Sequence, residues 1–390
     1  MPVGYLFTVA LVAIGTLFAL RPVPYSRPLG RPSYYFGLAA NELPFAAFFW
    51  MLLLPTALAF ADGDIDSAGG WAAVALAAVT AIGLAVVAYR ALGERPRIER
   101  AMTEGLGAGW RAAIDADLSV GLRRRPPLAR ILLLPILKRR LDVRRVANLA
   151  YGDAGHRRNL LDLYHHRSRP SGAPVMIHLH GGTYSGGHKN SQSLPLLYHL
   201  AGQGWVCISA NYRLRPHVQH PDHLIDLKKI IAWVREHAHE YGADPSTLFV
   251  AGSSAGGHMA ALAALTQNDP ALQPGFEDAD TSVTGAIYLN GWYGTYFGQG
   301  PESSPLAHIA PDAPPFLVAH GDLDPMVPAA DARHFADRLR QTSANPVVYA
   351  ELRGGNHAFD LYHSVRFEAV VDAIEAFTAW VRSRERTPKP

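Results

Sequence analysis

The sequence predicts an α/β fold, a mainly parallel sheet covered by helices on both faces, preceded by a helical region of a different character. Three observations carry this. Before residue 92 three stretches are almost free of charge; from about residue 150 β-branched runs alternate with helical patterns; and Gly252-Ser-Ser-Ala-Gly256 stands between one such run and a small-residue helix. The first of these lifts the apolar fraction to 49%, the top of the soluble range.

Residues 3–20, 43–61 and 70–89 are each about as long as a helix that crosses a hydrocarbon core. A cleavable leader is the rival reading of the first. No Lys or Arg precedes that stretch, however, and Arg21-Pro-Val-Pro24 is not a small-residue cleavage site. Buried soluble helices are the other alternative, for which about 10 to 14 apolar residues would suffice. Charge orients the three spans. Arg21, Arg27 and Arg31 follow the first, Arg90, Arg95, Arg97 and Arg100 follow the third, and the link 61–67 between the second and third is acidic. Both basic segments then lie on one side, which the positive-inside rule makes the cytoplasm: a multi-pass protein of the cell membrane with its N-terminus outside and everything after residue 90 inside. Glu42, at the edge of the second span, reads as interfacial, since one carboxylate gives an ion pathway too little to work with.

Residues 1–91 thus form a membrane region and residues 92–149 a basic amphipathic linker or cap. In the latter, Arg123-Arg-Arg-Pro-Pro127 and Lys138-Arg-Arg140 flank Ile131-Leu-Leu-Leu-Pro-Ile-Leu137. Beside a membrane helix this is either an anionic-lipid contact or a solvated linker; no aromatic pattern or motif points to nucleic acid. The formal charge of the whole chain is only +3. Its single cysteine, Cys207, sits in the apolar run Trp205-Val-Cys-Ile-Ser209 and reads as a core strand residue; no disulfide can form within the chain.

Residues 150–384 carry the alternation. Strands are expected at 160–164, 175–180, 205–212, 247–251, 285–290, 315–319 and 347–352, and helices at 223–237 and 367–381, whose apolar residues recur at three-and-four spacing. Such an order implies a mainly parallel sheet buried on both faces. Loops or a small cap over the strand ends are expected at 268–280 and 291–314, and residues 385–390 form a frayed tail.

The turn at 252–256 has the layout of a nucleophile elbow, a cramped strand-to-helix turn that lifts its central side chain above the sheet and tolerates only small neighbours. Ser254 is the candidate nucleophile. A serine hydroxyl needs a base, and the base needs an acid to fix its tautomer. Both occur afterwards at strand ends, in His320-Gly-Asp-Leu-Asp-Pro325 and in Gly354-Gly-Asn-His-Ala358. Asp324, just before Pro325, is the preferred acid with Asp322 the alternative, and His357 is the base. An oxyanion would be met by backbone N–H groups, one from Ala255 at the start of the helix and another from Gly181, Gly182 or Thr183 in the loop after the second strand. That loop is not a phosphate cradle, because Lys189 lacks the following Ser or Thr of a Walker motif. No metal or cofactor is called for.

With His180-Gly-Gly182, Asn211-Tyr-Arg-Leu-Arg-Pro216, Pro221, Asp226-Leu-Lys-Lys-Ile-Ile231 and the serine elbow in this order, residues 150–384 resemble the hormone-sensitive-lipase-like branch of α/β-hydrolases, the bacterial acetyl esterases and carboxylesterases. Within it the chain is most similar to membrane-associated mycobacterial-type lipases and esterases. The resemblance implies an α/β-hydrolase fold and metal-free hydrolysis of a carboxylic ester by Ser254, Asp324 and His357. Two features depart from the pattern. Thr183 stands where the family usually has a third glycine, and the membrane region is not part of the common fold. The expected substrate is an acyl ester or lipid-like small molecule. Amide, formamide or acetyl-group hydrolysis on the same scaffold is the closest alternative, and a non-catalytic ligand-binding protein a more distant one. Nothing in the sequence sets the acyl length or the oligomeric state.

Overall fold

The computed structural model describes residues 3–123, 125–152, 157–169 and 171–386. Residues 387–390 of the expected tail lie outside the described residues, while 385 and 386 close the last helix. In chain order the strands are β1 (Val143–Ala150), β2 (Leu160–His166), β3 (Ala173–Leu179), β4 (Val206–Ala210), β5 (Ala243–Ser253), β6 (Gly285–Leu289), β7 (Phe316–Gly321) and β8 (Val347–Leu352). Among the described residues they form one eight-stranded sheet in the order β1-β2-β4-β3-β5-β6-β7-β8. β1 and β2 pair antiparallel, as do β2 and β4, and every later pair is parallel. All seven expected strands are present. β1 is the addition, at the edge of the sheet inside the basic region; its adjacent exposed Arg144 and Arg145 give it the composition of a linker.

The α-helices after the N-terminal apolar region are, among the described residues, α6 (Glu94–Leu106), α7 (Ala116–Val120), α8 (Leu128–Leu133), α9 (Leu194–Gly202), α10 (Asp222–His237), α11 (Ala255–Leu265), α12 (Ala329–Thr342) and α13 (Val365–Arg386). Two apolar layers sandwich the sheet. On one face Leu227, Ile230, Met259 and Phe335 of α10, α11 and α12 meet Val175, Ile177 and Val250. On the other, Ile98, Leu197, Val370 and Phe377 of α6, α9 and α13 meet Met176, Phe249 and Leu317. Central strands buried on both sides have no polar face, which is why they read as unbroken apolar runs. α6 is therefore a sheet-covering helix rather than a solvated linker. Gly105 lets it lie directly on β8, since a Cβ there would stand 2.8 Å from the Val347 carbonyl oxygen.

The N-terminal region comprises α1 (Val3–Leu20), α2 (Gly30–Glu42), a composite helix built of α3 (Pro44–Ala46), a π-helical stretch (Ala47–Leu53) and α4 (Leu54–Ala61), and α5 (Ala68–Leu92). α1, the composite and α5 are long and apolar enough to cross a membrane, and they match the three expected spans to within three residues at each end. Pro55 has no N–H to return to the preceding turn, and the wider π turns absorb that missing bond. Phe7, Leu17, Trp50, Val79 and Ile82 are exposed on the outside of this bundle. Such a surface is costly in water and suited to lipid.

Candidate active site

Ser254 sits between β5 and α11 with φ 56° and ψ −119°, a conformation that non-glycine residues avoid unless their surroundings hold them in it. The surroundings here are backbone. A Cβ on Gly252 would stand 2.1 Å from the Gly256 carbonyl oxygen, and one on Gly256 would stand 2.1 Å from that of Leu179. The Ser254 N–H is fixed to the Leu289 carbonyl at 3.0 Å, and its own carbonyl accepts the His258 N–H, starting α11. The half-buried serine side chain borders a cavity of about 390 Å³.

His357 lies in the turn after β8, borders the same cavity and is otherwise buried. Its Nδ1 is 2.6 Å from Asp324 Oδ2. An ionised carboxylate can only accept, so Nδ1 carries the proton and Nε2 is left as the basic nitrogen. Asp324 in turn accepts the N–H groups of Met326 at 2.8 Å and Val327 at 2.9 Å on its other oxygen. Burial pushes the Asp324 carboxyl up, but the His357 and His320 rings and these bonds outweigh it and hold it below the usual carboxylate value. Asp322, the alternative acid, instead accepts the Gly354 N–H at 2.6 Å and closes the turn that carries His357; burial raises its carboxyl above the ordinary value.

The loop after β3 passes over the serine. Gly181 approaches so closely that a Cβ would stand 2.8 Å from Ser254 Cβ, and its N–H is taken up by Gln192 Oε1 at 2.5 Å. Gly182 and Thr183 follow with φ of 122° and 53°, and Thr183 and Ala255 border the cavity beside Ser254. Ala255 is the first residue of α11, where the N–H has no partner within the helix. Trp292, Tyr296, Phe297, Met326 and Val327 are among the residues of the remaining wall, which is predominantly apolar.

Several residues around the site carry no motif. Asp360 Oδ2 accepts from Ser193 Oγ and Ser253 Oγ, each at 2.6 Å, and His178 Nε2 reaches Ser253 Oγ at 3.1 Å, so a buried polar chain braces the residue before the nucleophile. His258, one turn into α11, receives the Tyr184 hydroxyl on Nδ1 at 2.6 Å and donates from Nε2 to the Gly294 carbonyl at 3.1 Å. It therefore ties the loop after β3 to the cavity wall. Burial pushes His258 and His180 down to about 3 and His178 down to about 4. Only the His-x-His-Gly-Gly order near β3 hinted at any of them.

Comparison with known proteins bears on the fold and the class of activity. The BD-FAE family model matches residues 161–296, from β2 through the elbow to the cavity wall. The probable carboxylic ester hydrolase LipM of Mycobacterium tuberculosis is 36% identical across 97% of this chain and 93% of its own length. Esterase LipQ of the same organism is 40% identical across 61% of this chain and 63% of its own. Among solved structures, a truncated carbohydrate esterase from gut microbiota superposes on 60% of the chain with a TM-score of 0.51 at 19% identity, a likeness of fold. With one relative matched along nearly its whole length, and a sheet and elbow of the right form, the chain belongs to the α/β-hydrolase family of carboxylic ester hydrolases, in its hormone-sensitive-lipase-like branch.

Proposed function

We propose that this protein is a membrane-anchored serine esterase of the cytoplasmic face that hydrolyses short to medium acyl esters through Ser254, His357 and Asp324. The observation that carries the reading is His357, held by Asp324 on Nδ1 and bordering the same cavity as Ser254. His357 Nε2 takes the proton of the Ser254 hydroxyl as its oxygen attacks the ester carbon, and the protonated imidazole then gives that proton to the departing alcohol. Water, activated by the same nitrogen, cleaves the acyl-enzyme and releases the carboxylic acid. Ala255 and either Gly182 or Thr183 meet the oxyanion; Gly181, whose N–H is already bonded to Gln192, serves the close approach of the loop instead.

The apolar wall suits an acyl chain, and a volume of about 390 Å³ lies at the small end of ligand cavities. In this reading residues 1–91 anchor the protein, 92–149 connect and cover the sheet, and 150–384 carry the chemistry. Placement of residues 21–42 and the catalytic region on one side of the membrane is supported by direct bonds between them, such as Tyr25 N–H to the Pro325 carbonyl at 2.8 Å. Ser254→Ala is expected to lower hydrolysis of a p-nitrophenyl acyl ester by at least about 10⁴-fold. Retention of turnover by that variant rejects the assignment.

A further inference from the structure

Residues 21–42, between α1 and the composite helix, are bound at two points to the loops that hold the acid and the base and at a third to the start of α13. The Tyr25 N–H donates to the carbonyl of Pro325, the residue after Asp324. Asn41 Nδ2 donates at 2.8 Å to the carbonyl of Gly354, in the turn that carries His357. Glu42, fully buried, pairs with the equally buried Arg366 and accepts the Ser364 hydroxyl at 2.6 Å. From the other side the segment is pressed onto the membrane bundle: a Cβ on Gly37 would lie 3.1 Å from the Phe18 backbone, and one on Gly15 would lie 3.1 Å from the Phe36 carbonyl oxygen. Between these fixed points the Tyr34 ring packs on His357, with centroids 6.3 Å apart and planes tilted by 56°. Tyr25 and Tyr35 pack edge-on against Tyr34 at 5.8 and 4.9 Å. Tyr34 does not border the 390 Å³ cavity, whereas His357 does, so the tyrosine ring contacts the imidazole away from the substrate.

We propose that Tyr34, supplied by the membrane region, is a positioning residue for ester hydrolysis: it holds the His357 imidazole towards Ser254 and keeps water from the His357–Asp324 pair. The proposal rests on the reading of His357 as the general base. The bond to Asp324 fixes one end of the imidazole and leaves the ring free to swing about it. Packing from outside the cavity removes that freedom, and productive geometry in such sites is held to within about 10 to 20° by neighbours of this kind. Water exclusion strengthens the ion pair formed when the imidazole takes its proton. Tyr34 itself stays neutral in this place: burial, followed by the charges of Asp360, Tyr35 and Asp324, raises its phenol well above the usual value. On this view the membrane region is part of the catalytic centre as well as its anchor.

The full chain in detergent micelles tests this, with p-nitrophenyl butyrate as probe and with the fraction of protein reactive towards a fluorophosphonate used to count competent sites. Tyr34→Leu, which keeps bulk without the ring, is expected to lower kcat per competent site by roughly 10- to 100-fold with KM unchanged, the scale of a small misplacement of a catalytic group. Tyr34→Phe is expected to restore kcat to within about twofold of the natural enzyme, because packing and not the hydroxyl does the positioning. A natural kcat in Tyr34→Leu overturns the proposal, as does an equal loss in Tyr34→Phe or a loss that merely follows a lowered melting temperature. His357→Ala serves as the reference. An active His357→Ala variant rejects the base assignment, whereas an inactive one beside a fully active Tyr34→Leu rejects only the role of Tyr34.

Discussion

Ser254 holds a backbone conformation worth roughly 1–3 kcal/mol of strain, and the fold sustains it through glycines that let three backbone segments meet. The same economy of space surrounds it with buried histidines. His180 and His258 stay neutral in the folded protein down to about pH 3, because burial opposes their charge, whereas in an unfolded chain a histidine takes up its proton near pH 6.5. Between those values the unfolded state binds protons that the folded state refuses. Stability must then fall as the pH drops from about 6.5 towards 3, by up to about 1.4 kcal/mol per pH unit for each histidine. Thermal unfolding followed from pH 7 to pH 4 should show this decline, and His258→Gln should make it shallower; a melting temperature flat across that range would contradict the burial of both rings. Ser254, Asp324 and His357 were legible in the sequence because each lies in a short glycine-bearing or proline-bearing motif at a strand end. His258, Asp360 and Tyr34 were not, since their partners lie 74, 107 and more residues away and no local pattern marks them.

Among the elements, the parallel strands were legible because burial on both faces leaves them apolar throughout. β1 escaped because an edge strand can carry Arg144 and Arg145, one of which reaches the buried Asp162. α9 is buried on nearly every side and so lacks a polar face. The largest surprise is α2. Its last residue, Glu42, reads from the sequence as interfacial, yet it is sealed against Arg366 of α13 and Ser364 just before it. Lengthy separation hides such a pair: the two charges are brought together by the docking of the N-terminal apolar region on the catalytic one. Glu42→Ala leaves the Arg366 guanidinium buried without its partner and should cost about 3–5 kcal/mol. Adding Arg366→Met should recover most of the loss in melting temperature, and a Glu42→Ala variant as stable as the natural protein would show that this clamp is not formed.

At the scale of the whole molecule, three helices long and apolar enough to cross a membrane, the basic segments after the first and third, and the contact of residues 21–42 with the catalytic loops support the proposal of an ester-cleaving centre beside a bilayer. Exposed Trp292 and Phe297 at the cavity and Tyr35 and Phe36 on α2 give its surroundings the aromatic character of an interface. An ester that partitions into lipid would reach such a cavity at a far higher local concentration than one confined to water. The central claim, a Ser254 nucleophile on the cytoplasmic face, is tested most directly by treating intact cells that hold the full chain with a fluorophosphonate and locating the adduct by peptide mass. The account predicts one adduct, on Ser254, formed by a membrane-permeant reagent in intact cells and by an impermeant one only after the membrane is opened. An adduct on another residue of the chain, or no adduct with the permeant reagent, would contradict it.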